Sequence, residues 1–319
     1  MTELIPAVDP QLIQEELTPS RFIRHTSKNE NHIYLITHEE APNVMLEIGR
    51  LRELTFRDAG GGTGKEVDID EFDTSAHPYS QLIVWDPEAR EIIAGYRLLK
   101  CVDAERNAQG EVLTATTHLF NISKTFQQEY LPYTLELGRS FVQPKYQGTN
   151  DSARKGIYSL DNLWDGLGAI VAMNPDIKYL FGKVTMYPSY NIEARNMLLS
   201  FMHHYFPDDI GLAVPIEPLI SKEELAPYDA MWKDLTYKEG YHTLNWWVRN
   251  KGENIPPLIN SYMNLSATMK TLGTAANDEF GKVEETGILL TLDDIYEAKK
   301  NRYIQTYEAF KDFDRPPTK

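Results

Sequence analysis

The chain has 319 residues, 42% hydrophobic and 25% charged, a composition ordinary for a globular protein. Asp and Glu total 47 against 32 Lys and Arg, and the resulting net charge of −15 excludes general nucleic-acid binding, which needs a basic footprint. No apolar run approaches the ~20 residues of a membrane-spanning helix, the acidic start "MTELIPAVDPQLIQEELTPS" lacks the basic and apolar parts of an export signal, and the single cysteine, Cys101, fits a reducing cytoplasm as a buried strand residue.

In chain order, residues 1–40 read as an irregular N-terminal extension. Residues 41–210 read as the core and 211–319 as a C-terminal extension packed on it. A helix is predicted from Pro42 to Arg57, with Val44, Ile48, Leu51 and Thr55 on one face and Met45 and Leu54 widening it. The glycines at 60–62 stop it. "SQLIVWD" and "EIIAGYRLLK" read as a hairpin across "DPEAR", and "YTLELGRSFV" as a third strand. Then come a helix in "GIYSLDNLWDGLGAIVAMN", a strand in "IKYLFGKVTM" and a helix in "NIEARNMLLSFMHHYF". Beyond Asp208, "YHTLNWWV" reads as an aromatic strand, "PPLINSYMNLSATM" as a helix and "TGILLTL" as the last strand. The sum is an α/β (α+β) layered fold with one extended domain.

"DAGGGTGKEVDID" resembles a phosphate-cradling loop only superficially. Such a loop follows a strand and carries Gly, four residues, Gly-Lys and Ser or Thr. Here a helix precedes it, Ala59 stands at the first glycine position, and Glu66 stands where the hydroxyl is needed. The glycines are therefore expected to serve as a mobile cap and loop, beside a binding cleft in the sharper version of the idea.

Several motifs then follow in one order: "LRELTFR", "DIDEFD", "GYRLL", "LELGRSFVQPKY" and "YLFGKVTM", with a tail "PPLINSYMNLSA…FGKVEETGILLTLDDI". Across roughly residues 42–295 this resembles the Gcn5-related acyltransferases, in the branch holding acyl-homoserine-lactone synthases and the hemolysin-like ornithine- and glycine-lipid N-acyltransferases. The tail is closer to the aminolipid members. The resemblance implies a mixed, mostly antiparallel sheet flanked by helices. It also implies transfer of a 3-hydroxy fatty acyl group from acyl carrier protein to a small amino acid, glycine or ornithine. No resident cofactor is expected; the donor is the acyl-phosphopantetheine thioester itself. The implied location is the cytoplasm, with peripheral contact to the inner membrane through the lipid product.

Amide formation from a thioester requires a base for the amine, stabilisation of the carbonyl oxygen and an exit for the thiolate. Glu136 is the chosen base. A lone strand Glu is usually ion-paired or solvent-facing; the family likeness raises it above that. Arg139, three residues on, would face the other way in a flat strand, and a bulge at Gly138 would bring both to one face. The resemblance further implies a splayed strand that admits the pantetheine arm. It places Arg52, Phe56, Asp70, Asp73 and Arg97 at the acceptor, and Tyr187 and Tyr190 near the leaving thiolate. Pairing of the three arginines with Asp68, Asp70 and Asp73 is an equally open reading. The aspartates lack the glycine and distal Glu of a calcium loop, so no metal is assigned.

The pyrophosphate loop of the superfamily, Gln/Arg-x-x-Gly-x-Gly/Ala, is altered here to "YQGTNDSARKG", which disfavours coenzyme A as donor. Gln147, Gly148, Arg154 and Lys155 are the candidates for the pantetheine phosphate, with Lys145 completing a basic patch for the acidic carrier protein. Three alternatives compete: a signal-synthase activity, a glycerolipid-type O-acyltransferase using His203 and Asp208, and a non-catalytic acyl-carrier-binding protein.

Overall fold

The computed structural model describes residues 1–147, 158–220, 222–312 and 316. Among them, eight strands form one sheet in the order β1 (Phe22–His25), β2 (His32–Ile36), β3 (Ser80–Asp86), β4 (Glu91–Lys100), β6 (Thr134–Val142), β7 (Tyr179–Met186), β10 (Val283–Thr291) and β9 (Lys270–Asn277). Every neighbouring pair is antiparallel except β6–β7. A short ribbon pairs β5 (Phe120–Ile122) with β8 (Ala213–Pro215). The mixed, mostly antiparallel sheet with flanking helices is the architecture expected.

One face of the sheet is covered by α1 (Pro10–Glu16) and α2 (Pro42–Asp58). Their Ile13, Val44, Ile48 and Leu51 pack with Ile83, Trp85, Ile92 and Phe141. The other face is covered by α4 (Ser159–Met173), α5 (Ile192–Tyr205) and the C-terminal helices. Leu163, Leu167, Ile170, Met197 and Phe201 meet Leu82, Val84, Leu98 and Leu135 there. Apolar residues on both faces of β3 and β4 explain why those strands read as nearly continuous hydrophobic runs. No helix of the described residues is long and apolar enough to cross a membrane.

Three expectations need correction. Residues 1–40 are not irregular, because they hold α1 and supply β1 and β2 to the main sheet. "YHTLNWWV" lies in a helix, α7 (Tyr237–Asn250), preceded by α6 (Lys222–Asp229) and begun by a capping box in which Thr236 and Glu239 bond each other's backbone N–H. The predicted helix in "PPLINSYMNLSATM" ends early, at Met263 (α8, Pro257–Met263), and β9 follows unforeseen.

The glycine run has a definite job. Gly60, at φ 96°, turns the chain out of α2. The next residues wrap the buried carboxylate of Glu53, which accepts the N–H groups of Thr63 (2.9 Å) and Gly64 (2.7 Å) and the Thr63 hydroxyl (2.8 Å). Arg57 closes the ring at 2.7 Å. The donors a phosphate would need at Thr63 and Gly64 are already bound to an internal anion, so the loop is pinned at that point. It does lie beside the cleft described next, whose wall includes Asp58 and Ala59.

Candidate active site

The parallel pair β6–β7 is hydrogen-bonded only from Thr134↔Tyr179 to Leu137↔Gly182, although both strands run on. Gly182 sits at the last rung, where a Cβ would run into the Leu137 carbonyl. Beyond it the strands part, and a cavity of about 720 Å³ opens between them, with residues 137–142 on one side and Lys183, Thr185 and Tyr187 on the other. Alternation along β7 puts those three on one face. This is the splayed strand pair expected.

The bulge is present, one residue later than predicted. Gly138 still pairs with Arg97, and the register slips before Phe141 pairs with Gly95. Arg139 takes φ 48°, a left-handed conformation rare for a residue with a side chain. Gly138, Arg139 and Ser140 all line the cavity as a result, together with Glu136.

Glu136 is buried, and its Oε1 accepts the N–H (2.9 Å) and hydroxyl (2.8 Å) of Thr116. Among the described residues its Oε2 has no hydrogen-bond partner. Burial pushes this carboxyl above its ordinary range, outweighing the opposing pull of the neighbouring Thr114 and Thr116 and of Lys183. A buried carboxylate with one free oxygen and a raised proton affinity is equipped to take a proton. Tyr187 lines the same cavity; burial first, and then Glu285, raise its hydroxyl to about 12, so it stays protonated at neutral pH. Tyr190 does not line the cavity, and its hydroxyl donates to the Asn254 carbonyl at 2.9 Å.

The three arginines and three aspartates form one network behind the wall. Arg52 meets Asp73 (3.1 Å), Arg97 meets Asp70 (2.7 Å) and Asp73 (3.4 Å), and Arg139 meets Asp68 (2.8 Å) and Asp70 (3.5 Å). Asp70 and Asp73 also make the capping box of α3 (Glu71–Thr74). Arg52 and Asp73 are fully buried, and neither they nor Asp70 line the cavity, whereas Phe56, Arg97 and Arg139 do. Arg139 lies over the Phe280 ring, 4.1 Å from its centre. The ion-pairing reading is thus realised, and it is what fixes the two cavity-facing arginines.

Gln147 lines the cavity, near Tyr146 and Leu160; Gly148, Arg154 and Lys155 lie outside the described residues. Lys145 is committed to Glu91 at 2.6 Å. Cys101 is buried just past the end of β4, and burial, with Glu136 nearby, pushes its thiol up, which makes it a poor nucleophile.

His203 and Asp208 are not on the cavity wall. Asp208 instead accepts the backbone N–H groups of Leu212 (2.6 Å) and Ala213 (3.3 Å), shaping the turn into β8. His203→Ala is therefore expected to keep kcat within about threefold, read by steady-state assay on protein with an unchanged circular-dichroism spectrum. A folded but inactive variant would revive the O-acyltransferase reading.

Two cavity residues escaped the sequence reading. Lys183 contacts Glu285 at 2.7 Å, and Glu285 stands opposite Thr185 across β7–β10. Both lie in segments already quoted, "YLFGKVTM" and "FGKVEETG". Their signal was an alternating charged residue inside an apolar strand, which becomes informative only once β10 is placed beside β7.

The profile of the acetyltransferase (GNAT) domain matches residues 51–153. A glycine N(alpha)-acyltransferase of Bacteroides thetaiotaomicron is 54% identical over 310 residues, covering 96% of this chain and 91% of that protein. A glycine N(alpha)-acyltransferase of Phocaeicola vulgatus is 48% identical over 307 residues, covering 96% and 94%. Among solved structures, a CoA-dependent acyl-homoserine lactone synthase aligns at TM-score 0.39 and 11% identity, covering 88% of this chain and 90% of that one. The extent of identity to the first two, over nearly the whole of both chains, places this chain in the glycine N(alpha)-acyltransferase family of Gcn5-related acyltransferases, and it is an acyltransferase.

Proposed function

We propose that this enzyme joins a fatty acyl group to the amino group of glycine, taking it from the phosphopantetheine thioester of acyl carrier protein. The acyl group is a 3-hydroxy fatty acyl chain and the product an N-acyl amino acid of aminolipid synthesis. The observation that carries this reading is the buried carboxylate of Glu136, one oxygen without a partner among the described residues, beside the opening between β6 and β7. The names of the two close relatives support glycine as acceptor.

The glycine nitrogen attacks the thioester carbon; the C–N bond forms and the C–S bond breaks. Of the two protons the ammonium gives up, one leaves through Glu136 to water. The other ends on the departing thiol, delivered by Tyr187. The altered loop after Gln147 supports a carrier protein over coenzyme A, with Arg154 and Lys155 as the basic contacts. The enzyme acts in the cytoplasm and touches the inner membrane peripherally through its amphiphilic product.

The test is turnover of purified protein with 3-hydroxyacyl carrier protein or the matching acyl-CoA, and with glycine or ornithine, followed by mass spectrometry of the products. N-acylglycine from the carrier protein, at a kcat/KM at least tenfold above that from acyl-CoA, is expected. Equal or better use of acyl-CoA would overturn the donor assignment, and a preference for ornithine the acceptor.

A further inference from the structure

Resting on that acceptor reading, we propose that Lys183 is the seat of the acceptor's α-carboxylate, a site for the free carboxylate of a small α-amino acid beside Glu136. Lys183 is the first residue of β7 past its last pairing with β6, and its side chain faces the cavity. An ammonium has three protons to donate. One is directed to Glu285 at 2.7 Å and one to the Ala115 carbonyl at 3.1 Å. Among the described residues the third has no acceptor, and the side chain keeps 12% of its surface exposed, on the cavity.

Glu285 is itself fixed, accepting from Asn277 (3.0 Å) and from the Thr185 hydroxyl (3.3 Å). Lys183 is thereby held in place rather than free to swing towards solvent. The pairing also keeps the Glu285 carboxyl below its ordinary range: burial pushes it up, but Lys183, Asn277 and Arg139 more than offset that. Lys183 is thus a lysine held by an ionised partner.

The other two cations on the cavity wall are less suited. Arg97 lies between Asp70 and Asp73, and Arg139 between Asp68 and Asp70 with its face on Phe280. An amino-acid zwitterion brings no net charge into the cleft. Its ammonium meets Glu136 Oε2 and its carboxylate meets Lys183, so the Glu136 oxygen gains a partner and the Lys183 ammonium a second anion beside Glu285. The donor carbonyl is left to the other strand of the fork.

The test compares glycine with glycinamide, which keeps the amine and loses the negative charge, in wild-type enzyme and in Lys183→Met. The wild type is expected to favour glycine by about 10- to 100-fold in KM, the scale of one charge-assisted hydrogen bond. Lys183→Met should raise the glycine KM by that factor and leave the glycinamide KM within about threefold, while kcat shifts alike for both substrates because Glu136 loses the attraction of Lys183. Lys183→Arg should recover much of the loss. Glycinamide turnover also reports that the variant is folded and chemically competent.

An unchanged glycine KM in an active Lys183→Met enzyme overturns the proposal. So does an equal rise in both KM values in a folded variant, which would mean that Lys183 does not read the carboxylate. Should Lys183→Met fail to fold, equal KM values for glycine and glycinamide in the wild type would overturn it without any variant, and Lys183→Gln replaces Lys183→Met in the comparison. A wild type that acylates no α-amino acid sinks the acceptor reading itself, an outcome separate from these.

Discussion

Glu136→Gln is expected to lower kcat by about 10²-fold or more while leaving the fold intact, the usual scale for removing a general base. Gln keeps an oxygen where Thr116 donates at 2.9 and 2.8 Å and loses only the basic Oε2. The pH dependence follows from the direction of the shift. Burial raises the folded carboxyl above its unfolded value, so the wild-type rate should climb with pH through that raised value, and the climb should vanish in the variant. The stability change has the opposite sign. A group with a raised folded value contributes its stability fully below the unfolded value and loses it as pH rises through the folded one. Wherever Glu136 is ionised its burial is therefore a cost, and there the glutamine variant should melt no lower than the wild type. Thermal melts beside steady-state rates test both halves. An equally stable variant with near wild-type kcat would remove Glu136 from the mechanism.

That combination, lower activity with undiminished stability, separates a functional burial from a structural one, and it bears on what the sequence could reveal. β3, β4, β6 and β7 were legible because each is rich in apolar and β-branched residues and bounded by turn residues, with only one or a few charged members inside. β9 was not: "KTLGTAAN" has small side chains, and Gly273 sits at φ 95°. The helix α7 was misread because aromatic and β-branched residues dominate "YHTLNWWV". Its buried positions, Gly240, Leu244 and Val248, nevertheless recur every four residues, and Thr236 with Glu239 spell a capping box. β1 and β2 are only four and five residues long, too short for a periodicity to register.

The candidate site divides along the same line. Glu136, Arg139, Phe56 and Arg97 were reachable through ordered motifs and Tyr187 through its place just after β7, and all five face one cavity. The displacement of the bulge from Gly138 to Arg139 was not, because the left-handed turn falls on the residue with the side chain. What holds it is tertiary: Asp68 and Asp70 on the guanidinium and Phe280 beneath it. A strained residue persists where its surroundings over-determine it. Lys183 and Glu285 were hidden because their meaning is a cross-strand contact between distant segments.

The second large effect is expected at Asp73. Asp73→Ala should destabilise the fold by about 3–5 kcal/mol, the range for breaking a buried ion pair from one side. The carboxylate is fully buried and receives Arg52 at 3.1 Å, the Gln81 amide at 2.9 Å and the Asp70 N–H at 3.2 Å, with Arg97 at 3.4 Å. Removing it leaves the guanidiniums of Arg52 and Arg97 in the interior, the first without its only acid partner among the described residues. Against a total stability of roughly 5–15 kcal/mol, that loss is large. Burial pushes the Asp73 carboxyl up, but Arg52, Arg97 and the Asp70 N–H hold it well below the usual carboxylate range. Its contribution is therefore present above the unfolded value and disappears as pH falls through the depressed folded one. Urea titrations at pH 7 and at about pH 3 check the sign: the gap between wild type and variant should narrow on acidification. Because Arg97 also faces the cavity, Asp73→Ala should lose activity even where it remains folded. A variant within 1 kcal/mol of wild type at pH 7 would show that the arginines find other partners, and that the network does not set the shape of the cleft.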